Sequence, residues 1–286
     1  MAIYWLAAPL SAFISFVAGG WLNELYGWRL TFFFMGIPGV LVAILVKMTI
    51  RDPRQGVANG RHDRSALPGF WHVLKCLWNQ RSSRHLAIGV ILYYMLGLGL
   101  GPWYAAFMIR SHDMQTSELG LWLGVIWSVS GAAGLLIGAQ LGGRLWANNE
   151  RAQMRLCAGM VAMLVPCYAL FLLLPQKTGA LLALVPLAVV SSVFFGPTFA
   201  LMQSLVHDKM RATTLSVVML LANLIGMGVG PQIVGLMSDR FQASFGQDSL
   251  RYAMLAASFV ALWAAYHFLL VSRSVAGDLR RLRATM

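Results

Sequence analysis

Carboxylates are scarce in this chain. Ten Asp and Glu residues serve 286 positions, and all ten fall in polar connections or at the ends of apolar runs. Carboxylates inside a membrane are the usual proton and cation relays, so the sequence offers no coupling acid of its own. His267 is the one histidine deep in an apolar run. With no acids near it, it reads as a side chain hydrogen-bonded to a neighbouring helix. Cysteine is rarer still. Cys76, Cys157 and Cys167 have no metal-like spacing. The last two share a helix about 15 Å apart by rise, too far for a disulfide. No Ser-His-Asp set, no His/Glu metal spacing and no paired carboxylates occur, so an embedded hydrolase or transferase has no groups to work with. We expect no enzyme, no cofactor and no metal.

Charge as a whole is also low, at 11% of residues against roughly 25% in soluble domains. What fills the space is apolar: 58% of the chain, with a mean hydropathy of +0.67. Continuous apolar runs recur from end to end. About 20 such residues cross a ~30 Å hydrocarbon core. The runs predict an all-α, polytopic helical membrane protein with about eight crossings, near 2–22, 28–50, 86–109, 119–141, 154–174, 180–205, 212–237 and 252–271. They are continuous rather than alternating, which excludes a barrel. The first run is long enough to span and has no basic segment before it, unlike a cleaved signal peptide.

The net charge of +12 raises nucleic acid as a partner, and its distribution dismisses it. If alternate connections lie on alternate sides, one side holds Lys47, Arg51, Arg54, Arg61, Arg64, Lys75, Arg81, Arg84, Arg144, Arg151, Arg155, Lys209, Arg211 and the basic tail. The other holds Arg29, Arg110, Lys177, Arg240 and Arg251. Acids show no such bias. This is the positive-inside pattern, and it places both termini in the cytoplasm of a bacterial inner or plasma membrane. The expected partners are the lipid bilayer and a small-molecule substrate, with no nucleic acid.

One long polar stretch, 51–85, separates the second and third crossings. Within it Leu67, Phe70, Trp71, Leu74, Leu77 and Trp78 recur at helical spacing, which predicts an amphipathic helix on the inner leaflet. The segments "AGGWLNELYGWRLTF" (18–32) and "IVGLMSDRFQASFGQDSLRYAM" (233–254) echo each other. Gly20 matches Gly235, Glu24 matches Asp239, and Arg29 and Arg251 open the following helices. The echo pairs the first two crossings with the last two. An offset of that kind is common in secondary transporters built from repeats.

Glycine is plentiful where a soluble helix would avoid it. "NLIGMGVGPQIVG" (223–235) is the densest case. Each Gly costs a helix about 0.8–1.0 kcal/mol relative to Ala. In lipid, small residues let backbones approach and supply the contact instead. Gly226 and Gly230 are four apart, as are Gly134, Gly138 and Gly142, and likewise Ser11, Ser15 and Gly19. Pro231 adds a kink. Gly19, Gly20, Gly138, Gly142, Gly226, Gly230, Pro231 and Gly235 are therefore candidate packing or hinge positions. Polar and aromatic groups at mid-membrane depth prefer the bundle interior or a cavity. Tyr93, Tyr94, Trp103, Tyr104, Trp127, Ser128, Ser191, Ser192, Phe195, Thr198, Asn223 and Gln232 are such groups.

The stretch "GGWLNELYGWRLTFFFMGIPGVLVAILVKMTIRDPRQG" (19–56) resembles the fifth-to-sixth helix region of major facilitator superfamily transporters. "PWYAAFMIRSHDM" (102–114) looks like the end of the seventh helix in the spinster-like, organic-anion branch, and "NLIGMGVGPQIVGLMSD" (223–239) like the eleventh helix. The resemblance implies two six-helix halves, a cavity between them and alternating access. The chain would then lack the first four helices. Residues 1–50 would be the end of the first half, 51–85 the inter-half linker, 86–271 a full second half and 272–286 a basic tail. Helices equivalent to the seventh and tenth line the family's cavity, which raises Tyr93, Tyr94, Tyr104, Ser191, Phe195, Thr198 and Asn223 as substrate-binding candidates. Glu24, Arg29, Arg144 and Asp239 fall at the gating loops. Two departures stand out: "GGRLWANNERAQMR" (142–155) has Ala147 where the family's loop carries Asp, and Ser15-Phe16 replaces the antiporter's Gly-Pro. The implied function is alternating-access transport of a small organic or amphipathic solute, a class that includes anionic and lysolipid-like molecules, often coupled to a proton. The alternative is a truncated, non-transporting remnant or assembly subunit.

Overall fold

A computed structural model describes residues 2–49, 69–141 and 149–284. Arg144, Gly142, Leu67 and most of the polar connector lie outside the described residues. Among those described there is no strand. Six helical stretches are long and apolar enough to cross a bilayer, and two of them are over-long: Leu10–Thr49 with 40 residues and Asp208–Leu282 with 75. At about 1.5 Å per residue the shorter of these is ~60 Å, twice the hydrocarbon core. Each is divided at a glycine with positive φ, Gly27 (φ 75, ψ 166) and Gly246 (φ 54). Among the described residues the division yields eight apolar helical segments, the number of runs read from the sequence.

We label the helices α1 (2–26), α2 (28–49), α3 (Phe70–Asn79), α4 (Arg81–His112), α5 (Thr116–Gln140), α6 (Glu150–Leu173), α7 (Lys177–Ser204), α8 (211–245) and α9 (249–284). Gly27 and Gly246 both follow an aromatic residue, Tyr26 and Phe245, and precede the arginines of the sequence echo. At φ 75, ψ 166 a Cβ is strained whatever the space around it. Gly27→Ala is expected to lower stability by about 1–3 kcal/mol, read as a lower Tm in detergent. An unchanged Tm would mean that the two helices do not need this bend.

The core lies where α4, α6, α7 and α9 meet. Phe107, Phe171, Phe194 and Phe268 are its largest fully buried side chains. α9 packs on α6 and α4, α7 on α5 and α6, and α8 on α4. α9 is also tied to α4 by polar contacts near the start of α4. His267 Nδ1 lies 3.0 Å from His85 Nδ1, as expected of a histidine bonded to a neighbouring helix. Asp278 accepts from the backbone N of Ser82 at 2.9 Å. The short α3 turns Val73 and Leu77 inward and leaves Trp71 and Trp78 exposed. Val73, outside the stripe expected from the sequence, is its most buried residue.

Glycines set the closest approaches. A Cβ on Gly230 of α8 would lie 2.7 Å from Gly99 Cα of α4, and one on Gly226 2.9 Å from the Tyr94 carbonyl. Trp103 Nε1 donates to the Pro231 carbonyl across the same seam at 3.2 Å. Gly134 and Gly138 of α5 press against the backbone of α7 at Val189 and Val193. α1 meets α5 through Gly20, whose Cβ would stand 2.7 Å from the Thr116 carbonyl, and through Gly120 and Gly124 opposite. Gly19 and Gly20 are both packing candidates, and their surroundings differ. Gly19 looks into open space, and its neighbour Gly20 makes the contact. A single apolar run does not fix which of two adjacent glycines faces the partner. Gly235 is looser, with the Trp103 ring 3.3 Å from its would-be Cβ.

Candidate functional site

α4, α5, α6 and α7 converge on a cavity of ≈ 300 Å³. Its wall is lined by Tyr93, Tyr94, Leu96, Gly97, Leu98 and Tyr104 of α4, Trp127 of α5, Leu164 and Tyr168 of α6, and Leu187, Ser191, Ser192 and Phe195 of α7. Local breaks in the helices present these residues. α5 passes through a π-helical segment at Ile126–Ser130, which carries Trp127. Such wide turns recur at functional positions. α7 is interrupted at Phe194, where Pro197 cannot donate a backbone N–H to the carbonyl one turn earlier. The Tyr93 hydroxyl donates to the Ser191 carbonyl beside this break, at 2.5 Å.

Two aromatic groups frame the space. Tyr93 stacks on Phe194 with centroids 4.1 Å apart, and Phe195 stands edge-on to both Tyr93 and Tyr94. Tyr104 stacks parallel to Trp127 at 6.0 Å and meets Phe171 edge-on. The hydroxyls of Tyr104 and Tyr168 are 2.7 Å apart in buried surroundings. In such a pair one phenol donates to the other. The second O–H and the remaining lone pairs stay free for another group. The lining thus offers aromatic faces and neutral hydroxyls, with no charged side chain among them. It can hold an apolar or aromatic body and a hydrogen-bonding polar group.

Five of the seven substrate-binding candidates, Tyr93, Tyr94, Tyr104, Ser191 and Phe195, fall on this one wall. Two do not. Thr198 is fully buried beside Cys157, 3.9 Å from its sulfur, away from the cavity. Asn223 is exposed, and its amide donates to the Met219 carbonyl of its own helix at 2.8 Å. An amide satisfied within its own turn needs no interior partner. Tyr168 was missed: it sits alone in "MLVPCYALFLLL", with no polar neighbour to mark its facing. Trp127 and Ser192, noted only as mid-membrane groups, line the wall.

The loop candidates are scattered. Glu24 Oε2 accepts from the backbone N of Ser117 at 3.0 Å, in the first turn of α5, where a carboxylate suits the helix's positive end. Arg29 lies over the Trp28 ring at 4.5 Å. Asp239 is exposed on α8. Lys177 and Glu118 pair at 2.8 Å between the starts of α7 and α5.

Comparison with known proteins fits this architecture. The sequence profile of the Major Facilitator Superfamily matches residues 1–231. A protein named "MFS-type efflux pump" from Mycolicibacterium smegmatis is 28% identical over 257 residues, covering 89% of this chain and 58% of that protein. Rat "Protein spinster homolog 1" is 24% identical over 307 residues, covering 98% of this chain and 58% of the relative. A solved bacterial homologue of the human lysosomal transporter spinster, inward-facing and unoccupied, superposes with a TM-score of 0.72 at 25% identity. It is matched over 95% of this chain and 65% of its own. The chain therefore belongs to the major facilitator superfamily. It is a multi-pass membrane protein. The chain spans about 58% of the length of these curated relatives.

Proposed function

We propose that this chain serves the transmembrane movement of a small organic or amphipathic solute by alternating access, as part of a secondary transporter. One observation carries the proposal: four helices bring aromatic rings, a free phenol donor and two serines to a single cavity of ≈ 300 Å³. Ligand sites between helices of bundles have this makeup, largely apolar with a few placed polar groups. The relatives named as an efflux pump and as homologues of spinster support the same class. The alternative of a non-transporting remnant or assembly subunit gains nothing from the comparisons. Residues 1–50, the connector 51–85, the six-helix unit 86–271 and the tail 272–286 are the working divisions of this proposal, with both termini on the cytoplasmic side. Within the solute class, the lining favours a lysolipid-like molecule that pairs a chain or ring with a neutral acceptor. A coupling proton, if the cycle uses one, finds no carboxylate in this wall.

The test is binding of a fluorescent lysophospholipid by the 286-residue chain in liposomes. Saturable binding is expected, and Tyr168→Phe is expected to weaken it about three- to tenfold, the ~0.5–1.5 kcal/mol of one hydrogen bond. Equal affinities for the two proteins, or no saturable binding by either, would remove the cavity as the solute site.

A further inference from the structure

The seam between α4 and α9 is close. One turn beyond His85, a Cβ on Gly89 would stand 3.0 Å from the Phe268 ring. At the start of α4 three polar contacts cross the same seam. Asp278 accepts from the Ser82 backbone N–H, Ser82 Oγ lies 2.8 Å from Ser274 Oγ, and His85 Nδ1 lies 3.0 Å from His267 Nδ1. The third differs from the others, because it depends on where protons sit. Two facing Nδ1 atoms bond only when one carries a proton and the other does not.

Three protonation states follow. In the neutral pair, one ring donates its Nδ1–H to the bare Nδ1 of the other and keeps its own Nε2 free. A proton from water takes that Nε2. The donor is then an imidazolium, and its bond to the neutral ring is charge-assisted and stronger. A second proton has only the accepting Nδ1 left to take. Two N–H groups and two positive charges then face each other across 3.0 Å, and the contact is lost.

No carboxylate offsets that second charge. α4 has none, and the single one of α9, Asp278, is engaged at Ser82. Among the described residues, Arg84 and Arg81 are the charged groups that bear on His85, and His85 is the one that bears on His267. His72 and Lys75 of α3, Glu150 and Arg151 of α6, and Arg211 of α8 lie on the elements packed against these two helices and do not. His267 is 9% exposed and His85 is only partly buried, which leaves the proton a way in from the His85 side.

We propose that His85 and His267 form a proton-binding site between α4 and α9, in which one shared proton fastens the helices and a second releases them. The site lies outside the aromatic cavity, whose lining includes neither residue. α4 carries Tyr93 and Tyr94 about two turns further on, so loosening its start bears on the cavity wall.

Nitrogen NMR of the 286-residue chain, labelled at its histidine rings and held in detergent micelles, reads the site between about pH 8 and 5, the range in which histidine changes charge. Rings that share a proton titrate as a pair, and His85 and His267 are expected to show two joint steps about one pH unit or more apart. His85→Gln is expected to leave His267 with a single step. A single, unaltered step for His267 with and without His85 overturns the proposal, and so does the lack of any change in either ring. Release is read from Tm. The unfolded chain takes a proton on each ring, while the folded pair resists the second. The unfolded state therefore binds more protons as pH falls, and stability falls with it. From pH 8 to pH 5, wild type is expected to lose about 3 °C more in Tm than His85→Gln with His267→Gln. Equal losses would show that the pair does not hold the helices. Lysophospholipid binding at pH 8 tests the solute site alone, since both proteins keep its lining, so either claim can fail without the other.

Discussion

Gly230→Leu is expected to prevent α4 and α8 from closing on each other. The added Cβ alone would stand 2.7 Å from Gly99 Cα and 3.0 Å from the Met95 carbonyl. Both are backbone atoms, so no side chain can rotate away. Overpacking costs typically ~1–3 kcal/mol and sometimes more, and a clash against main chain belongs at the upper end. The hydrogen bond from Trp103 to the Pro231 carbonyl goes with it. The total stability of a domain is only about 5–15 kcal/mol, so the variant should yield little monodisperse protein and a sharply lower Tm. Wild-type yield and Tm would show that the seam is not a fixed contact.

Gly97→Phe, seven residues from Tyr104 on the same helix face of the cavity, is expected to do the reverse. Gly97 lines the aromatic cavity, and a Cβ there meets nothing within 4 Å. A mid-helix glycine costs about 1 kcal/mol relative to a better helix former, so Tm should hold or rise. The phenyl ring then occupies the space meant for the solute. Lysophospholipid binding should drop at least tenfold, about 1.4 kcal/mol. A stable variant with undiminished binding would mean that the solute sits elsewhere. The two substitutions are of one kind, glycine to a large apolar residue, and only the local surroundings set their opposite outcomes.

Those surroundings were partly legible from sequence. Apolar length gave the crossings, because a membrane leaves backbone groups no partner but their own helix. The glycine seams of α5 and α8 were legible as small residues four apart. Facing was not. A helix apolar on all sides carries no period that marks an interior stripe, so Gly19 could not be told from Gly20. Tyr168 could not be told from a lipid-facing tyrosine for the same reason. Asn223 shows the converse difficulty, since polarity at mid-depth carries no sign that the amide bonds its own turn. Tyr93, Tyr94, Ser191 and Phe195 were found because the family resemblance marked α4 and α7. Trp127 owes its place to a π-helical turn that no residue pattern announces.

The junction at Gly27 leaves a single residue of slack between α1 and α2. α1 is pinned to α5 twice, by the Gly20–Gly120 approach and by Glu24 on the Ser117 amide. A pull on α2 therefore has no loose chain to absorb it and reaches α5 through those two fastenings. α5 carries Trp127 into the cavity wall. The indole thus shares its helix with the contact surface that α1 and its rigid junction to α2 bear upon, much as a crank bears on its shaft.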